Sequence, residues 1–325
     1  MTTVDRLTRD PADLESLRPQ LTGYCYRMLG CPAEAQDAVQ ETMLRAWRGE
    51  FQGRSSLRTW VYRIATNVCL DLLRSSGRRA QPMDLGPVGT PTVEALGERR
   101  PAETWVLPAP TAALDPAEVA ESRESVRLAF VAALQHLPPR QRAVLILCEV
   151  LRFSAVEVAA LLDTSTASVN SALQRARATL VHLPAVEPLA LTPDLAALLA
   201  RYVAAFERYD VAALTALLRE DVVMNMPPYP LWLQGPDDVA TWFRGPGQGC
   251  AGSRLVATSA NGQPAFGQYR VDPTGGHTPW ALMVLDVVGD RITGMTYFLD
   301  TPALFPAFGL PAHLDPPAVA ARQTE

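Results

Sequence analysis

At 325 residues, 48% hydrophobic and 19% charged, the chain is long enough for two or three domains with a core each, and its composition excludes wholesale disorder. Five widely spaced cysteines with no CxxC pair argue against a disulfide framework or a zinc site, apolar runs such as 143–148 are far too short to span a bilayer, and 1–10 lacks the apolar core of a signal peptide, so a cytoplasmic protein without metal or cofactor is expected. The net charge of −5 hides an asymmetry: every basic residue is Arg, with 21 Arg against 20 acidic residues in 1–182 but 8 against 14 in 183–325.

Residues 11–79 read as helices. Leu14, Leu17, Leu21 and Tyr24 recur at helical spacing, as do Ala35, Ala38, Val39, Thr42, Met43, Ala46 and Trp47. A third stripe, Leu57, Trp60, Val61, Ile64, Ala65, Val68 and Leu72, follows the cap candidates Ser55 and Ser56. Residues 45–79 hold eight Arg against Glu50 and Asp71 alone, a local excess that attracts a phosphate backbone despite the acidic whole.

Seven prolines and seven acids fall in 80–122, which reads as an extended, self-repelling linker. An apolar island, Trp105-Val106-Leu107-Pro108-Ala109-Pro110, interrupts it and is expected to dock. Helical patterning resumes over 124–180. Pro138 and Pro139 open one helix, and a tight pair follows, 154–162 and 166–180, joined by Asp163-Thr164-Ser165. Val156, Ala159, Ala160 and Leu161 would line one member's buried side, and Val169, Leu173, Ala176 and Leu180 the other's. That arrangement is what a helix-turn-helix requires.

From 191 to 310 the pattern changes to two helices (195–206 and 211–218) and short runs at 222–226, 254–260, 264–271, 279–288 and 291–299, with a hairpin signal at Gly289-Asp290. An α+β domain with a bent antiparallel sheet is expected. The tail beyond Leu310 reads as loose.

The order of blocks is more specific than any one of them. Residues 32–47, running from Pro32-Ala33-Glu34 to Leu44-Arg45-Ala46-Trp47, resemble region 2.2 of sigma-70 factors. Residues 56–67, from Ser56-Leu57-Arg58 to Ala65-Thr66-Asn67, resemble regions 2.3 and 2.4. Residues 134–142, with Leu137-Pro138-Pro139-Arg140, continuing to Gln174-Arg175-Ala176-Arg177, resemble region 4. The chain is thereby similar to the extracytoplasmic-function type of sigma-70 factor over about 170 residues. The C-terminal part resembles the SnoaL-like branch of the cone-shaped fold shared with nuclear transport factor 2, through 202–207, 217–223, Met226-Pro227-Pro228 and 292–295.

This resemblance implies a multidomain fold: two all-α sigma domains, a region 2 helical bundle and a region 4 helix-turn-helix, plus a C-terminal α+β cone-shaped SnoaL-like domain. Boundaries are expected at 1–82 (region 2), 83–122 (linker), 123–183 (region 4), 191–310 (cone) and 311–325 (tail). The partners implied are core RNA polymerase, through its β′ and β subunits, and promoter DNA, with no membrane and no separate anti-sigma factor required.

Asp37, Gln40, Glu41 and Arg45 share a helix face that the resemblance assigns to the polymerase β′ subunit. For the −10 element, the resemblance implies that Asn67 and the loop 51–56, with Phe51, Arg54 and Ser55, would line a pocket for a base taken from the stack. An amide reads a base edge by paired donor and acceptor, and an aromatic ring stacks. Trp60 joins this set, although its spacing with Ile64 also suits packing. Arg58, Arg63, Arg74, Arg78 and Arg79 are phosphate candidates.

For the −35 element the reading set is Thr166, Ser168, Asn170, Ser171, Gln174 and Arg175. Relatives usually carry a basic residue where this chain has Asn170, and often another at Ala172, which leaves the phosphate grip weaker here. In the cone, His277, Asp286, Asp300 and Tyr229 are conceivable acid–base groups, or the cavity can host a small ligand, but no constellation compels catalysis, and no catalytic or metal-binding residue is assigned. The cone is expected to modulate the sigma domains in cis, with Trp105, Leu107 and Pro108 as a linker latch. Two other readings compete: a ligand-sensing helix-turn-helix regulator, which leaves 11–79 without a role, and a fused cyclase or isomerase, which explains only the cone.

Overall fold

The computed structural model describes residues 11–75, 77–114, 123–180 and 192–316. They form two compact units, Met1–Ala80 with Glu103–Val186, and Gln81–Ala102 with Glu187–Glu325.

The first unit begins with α1 (Pro11–Ser16), α2 (Arg18–Leu29), α3 (Pro32–Arg48) and α4 (Leu57–Ser75). Proline in the first turn of α2 and of α3 suits positions whose N–H has no helical partner. Gly30 closes α2 at φ 72°, the left-handed backbone that glycine adopts without strain. Ser56 caps α4, its hydroxyl accepting from Thr59 N at 3.0 Å. The bundle core joins Leu21, Tyr24 and Met28 of α2 to Ala35, Ala38, Val39 and Ala46 of α3 and Val61, Ala65 and Val68 of α4. Tyr24 meets Tyr62 edge-on at 5.3 Å and shares a 2.7 Å hydrogen bond with Thr66.

The second lobe of this unit comprises α5 (Arg123–Val126), α6 (Leu128–Leu134), α7 (Pro139–Leu145, extended by a π turn Ile146–Val150), α8 (Ala155–Leu161) and α9 (Thr166–Leu180). Ser154 and Glu157 form a reciprocal capping box at the start of α8. Asp163, at φ 52°, turns the chain into α9. The α8–turn–α9 pair is the expected helix-turn-helix.

The lobes of the first unit pack on each other. Tyr62 of α4 meets Phe153 edge-on at 5.3 Å, and the Arg58 guanidinium lies 4.1 Å from the centre of the Phe153 ring. Arg58 Nη2 donates to Leu151 O at 3.0 Å and Arg27 Nε donates to Ser125 O at 2.8 Å. Arg142 of α7 donates to Met28 O in the last turn of α2.

Over its described residues, up to Leu114, the linker is not the extended, self-repelling segment the composition suggests. Its apolar island is a docking strand: Trp105 is 1% exposed, and Val106, Ala109 and Leu114 are also buried. Trp105 bridges Ala80 in parallel, with Ala80 N donating to Thr104 O and Val106 N to Ala80 O. Leu107 N reaches Gly30 O at 2.9 Å, and Tyr26 Oη donates to Leu107 O at 2.8 Å. Burying the island outweighs the repulsion of Asp84, Glu94, Glu98 and Glu103, which remain at the surface.

In the second unit, α10 (Pro193–Glu207), α11 (Val211–Thr215) and α12 (Pro236–Arg244) pack on a six-stranded sheet. The strands are β1 (Leu218–Asn225), β2 (Trp232–Gln234), β3 (Arg254–Ala260), β4 (Gln263–Val271), β5 (His277–Val288) and β6 (Arg291–Phe298), in the order β2-β1-β6-β5-β4-β3. A helix, α13 (Thr301–Ala307), follows. The expectation of an antiparallel sheet needs one correction, because β1 and β6 pair in parallel. The α12–β3 excursion carries the chain from one edge to the other before it returns to β1. Bulges between Gln268 and Tyr269 and between Asp286 and Val287 bend the long strands. The core runs from Leu198, Tyr202 and Phe206 to Met283, Leu285, Met295 and Tyr297.

Residues 81–102 belong to this second unit. Gly89 N donates to Trp232 O at 2.9 Å on the edge strand, Trp232 Nε1 donates to Gly86 O, and Arg100 N donates to Pro228 O. A Cβ on Gly89 would fall 2.5 Å from Leu231 Cδ1, so this approach suits glycine. Tail residues 311–316 are tied down rather than loose: Leu314 exchanges two backbone hydrogen bonds with His277, and Tyr269 Oη donates to Pro311 O.

Candidate promoter- and polymerase-binding surfaces

On α3, Asp37, Gln40 and Arg45 are exposed and Glu41 half-buried, with Arg45 Nε paired to Glu41 at 2.6 Å. The same side carries Leu44, 43% exposed, and Trp47, 65% exposed. Trp47 was expected in the apolar stripe. It lies three residues beyond Leu44 and seven beyond Gln40, which at 3.6 residues per turn puts it on the polar face instead. The face therefore sets charged and polar groups around an exposed leucine and tryptophan. Leu72 of α4 is likewise 38% exposed rather than buried.

The loop after α3 and the start of α4 enclose a pocket of about 260 Å³, lined among others by Phe51, Arg54, Ser55, Thr59, Trp60 and Arg63. Five of the ten residues named for the −10 surface, Phe51, Arg54, Ser55, Trp60 and Arg63, thus converge. The Phe51 and Trp60 rings stand 5.4 Å apart at 57°, leaving two aromatic surfaces beside two exposed guanidiniums. That combination suits a stacked base and its phosphate. Trp60 both packs, beneath Gly49, and lines the pocket.

Asn67 is exposed one turn beyond Arg63 on the same face of α4, outside the pocket lining. Arg74 is exposed and paired with Asp71 at 2.7 Å, and Arg78 is exposed and contacts His136. Arg58 is held by Leu151 and Phe153 rather than offered to solvent. Arg79 also departs from its expected phosphate role. It is 6% exposed, pairs with Glu34 and donates to Trp105 O at 2.9 Å, so it anchors the linker. Gln52 belongs to the expected loop, but Glu50, Thr59, Ala160 and Leu161, also in the pocket lining, were not anticipated. Long-range packing carries Ala160 and Leu161 there, and no local pattern signals it.

In the helix-turn-helix, Thr166, Ser168, Asn170, Ser171, Gln174 and Arg175 are all exposed on α9, whose other side buries Val169 and Ala176. Arg177 is taken up by Glu149. The buried side of α8 is Val158, Ala159 and Leu161; Val156 (68% exposed) and Ala160 turn outward, contrary to expectation. The capping box fixes the phase of α8, and that phase puts Val156 outside.

In the cone, two of the conceivable acid–base groups, His277 and Asp286, lie toward opposite ends of β5, whereas Tyr229 and Asp300 lie on segments joined by the Leu299 N to Pro227 O hydrogen bond. His277 opens β5 and contacts Gly252 O at 3.1 Å. Asp286 lies nine residues further along the same strand, roughly 30 Å away at the strand's rise. It accepts from Gln263 at 2.5 Å, and a Cβ on its neighbour Gly294 would come within 2.7 Å of its Oδ2. Asp300 precedes α13, and Tyr229 follows the cis Pro227–Pro228 bond. The interior polar feature that patterning missed is Tyr202 and Tyr297, whose buried hydroxyls lie 3.4 Å apart. Burial pushes both phenols well above their usual range. Among the described residues no helix is long and apolar enough to cross a membrane.

A basic bundle with a base-sized aromatic pocket, followed by a helix-turn-helix with an exposed reading face, defines a promoter-binding transcription factor of the sigma type. Residues 14–79 match the model of sigma-70 region 2, 127–180 that of sigma-70 region 4, and 199–295 that of the SnoaL-like domain. The ECF RNA polymerase sigma factor SigG of Mycobacterium tuberculosis is 45% identical over 328 residues, covering 94% of this chain and 87% of SigG. SigJ of the same organism is 30% identical over 216 residues, covering 66% of this chain and 64% of SigJ. The crystal structure of SigJ matches in fold with a TM-score of 0.63 at 22% identity, over 93% of this chain and all of that one. The chain belongs to the extracytoplasmic-function family of RNA polymerase sigma factors, in a form with a fused SnoaL-like domain.

Proposed function

We propose that this chain binds core RNA polymerase through region 2 and directs it to promoters whose −10 and −35 elements are read by two separate surfaces. The observation that carries the reading is the presence in one chain of the Phe51–Arg63 pocket and the six exposed reading residues of α9. The α3 face of Asp37, Gln40, Glu41 and Arg45, widened by Leu44 and Trp47, is the surface for the β′ subunit; region 4 serves the β subunit. Phe51 and Trp60 stack on the extracted base, with Asn67 reading an edge nearby. Arg54, Arg63, Arg74 and Arg78 hold phosphates, and Arg58 joins them once released from Phe153. On α9, Asn170 and Gln174 suit adenine and Arg175 guanine.

The cone regulates rather than catalyses, acts in cis in the cytoplasm, and makes a separate anti-sigma factor unnecessary. A small ligand in the cone is a means of relaying a signal. The linker is the physical connection: Trp105, Leu107 and Pro108 fasten its second half to region 2, and 81–102 follow the cone. Run-off transcription tests this with core polymerase and either the full chain or a chain ending near residue 185. Promoter-dependent transcripts from both, in different amounts, are expected. Equal output from the two would refute regulation in cis, and no transcript from either would refute the sigma assignment.

A further inference from the structure

We infer that the open edge of the cone's sheet, along β3, is an interface for a second copy of this chain, with the two strands pairing antiparallel about a two-fold axis at Ala257. The inference goes beyond the sigma reading and does not depend on it.

The sheet has two edges, and the chain treats them differently. At one end β2 is only three residues long and is covered by 86–89, where Gly89 N donates to Trp232 O and Trp232 Nε1 to Gly86 O, both at 2.9 Å. At the other end β3 runs for seven residues, Arg254–Ala260, beside β4. Short strands, covering segments, bulges, prolines and charges are the usual means of keeping an edge from pairing. Past Arg254, the run Leu255-Val256-Ala257-Thr258-Ser259-Ala260 holds neither charge nor proline. Its register with β4 is unbroken, whereas the β1–β6, β4–β5 and β5–β6 pairings all shift.

The turn after β3 decides which backbone groups face outward. Asn261 and Gly262, at φ 54° and 70°, make a two-residue hairpin turn, so Ala260 and Gln263 form a hydrogen-bonded pair. Such pairs alternate along an antiparallel ladder, which directs the N–H and C=O of Leu255, Ala257 and Ser259 away from β4. Leu255 bears this out, because its N–H donates to Glu207 Oε1 at 3.0 Å. Glu207 thus takes one outward donor and leaves those of Ala257 and Ser259, both exposed residues, open to a partner strand.

A second β3 fits this edge by symmetry. The two-fold axis sets Ala257 opposite its counterpart, Val256 opposite Thr258 and Leu255 opposite Ser259, an isologous contact. Ala257 N then meets the Ala257 carbonyl of the other copy, and Ser259 N the Leu255 carbonyl. The β-branched pair Val256 and Thr258 suits cross-strand packing, and Arg254 falls opposite Ala260 rather than another charge. Pairing along one strand buries little surface, so the dimer is a weak one.

Sedimentation of the full chain over about 1–500 μM reads the association expected of a small interface. The wild-type chain should pass from monomer to dimer within that range. Ala257→Lys and Ala257→Glu each set like charges opposite one another at the axis, and each alone should weaken the dimer about fivefold. An equimolar mixture of the two should restore it, because unlike charges then meet, a recovery that misfolded variants would not show. A wild-type chain that stays monomeric throughout would overturn the inference, as would a dimer that both variants keep at full strength, or variants whose mixture dimerises no better than either alone.

Discussion

Arg79 donates a hydrogen bond to the carbonyl of Trp105 at 2.9 Å, joining the end of the region 2 segment to a linker residue 26 positions away. Arg79 also pairs with Glu34 of α3. The bundle, the chain leaving it and the returning linker are thereby fixed at one point. The Trp105 indole fills that point, but its buried Nε1 has no hydrogen-bond partner among the described residues.

Trp105→Ala should therefore destabilise the first unit by about 3–5 kcal/mol, the usual effect of emptying a buried tryptophan site. Trp105→Phe should cost markedly less, because it also removes an unsatisfied donor worth roughly 1–3 kcal/mol. Urea denaturation of the full chain checks this order. Equal losses would show that the indole N–H is satisfied.

Trp47 is the clearest separation of binding from folding. Trp47→Ala should leave the melting midpoint nearly unchanged, since a 65% exposed side chain contributes within about 0.5 kcal/mol to stability. Affinity for core polymerase should fall about thirtyfold or more, the scale of an aromatic hot spot. Titration of labelled chain with core polymerase reads both arms.

Region 4 substitutions divide by chemistry. Asn170→Ala and Gln174→Ala should each relax the preference at one −35 position, by about 1–3 kcal/mol. Arg74→Ala, at the other surface, should weaken binding to all promoters alike and lower the salt slope by about one. Promoter-library selection and salt titration of the holoenzyme distinguish these effects.

The α8 capping box gives an acid-side dependence. The Ser154 hydroxyl and backbone N–H hold the Glu157 carboxyl below its ordinary range. This contribution is present at neutral pH and lost as pH falls through the lowered folded value. Ser154→Ala should cost about 1 kcal/mol at pH 7 and less at low pH, by thermal melting.

Alkali acts on the cone in the opposite sense. Burial raises Tyr269 to about 12 and holds Tyr202 and Tyr297 well above the usual range. Their folded values exceed the unfolded one, so the stability they add is complete below about pH 10 and falls as pH rises toward 12. Phenolate absorbance should therefore appear together with loss of strand signal rather than before it.

Sequence patterning located β3 to the residue and β4 through β6 to within two residues, because their alternating runs are long and bounded by Gly, Asn or Asp. It missed β2, only Trp232–Gln234, and α12, whose Pro236-Asp237-Asp238 opening reads as a turn. The parallel β1–β6 pairing lay beyond reach, since period-2 alternation fixes a face but not a partner. At the reading surfaces, α9 was legible because Val169 and Ala176 mark one buried stripe. Arg58 and Arg79 were not. Each guanidinium is claimed by a carbonyl far along the chain, Leu151 and Trp105, and local spacing carries no trace of either bond.

The most direct test of the account is transcription by core RNA polymerase reconstituted with the full chain on fragmented genomic DNA, with start sites mapped. The account predicts transcripts that begin at a small set of positions sharing two upstream elements and that vanish without the chain. Initiation indistinguishable from core polymerase alone, with the chain shown to be folded, would contradict it.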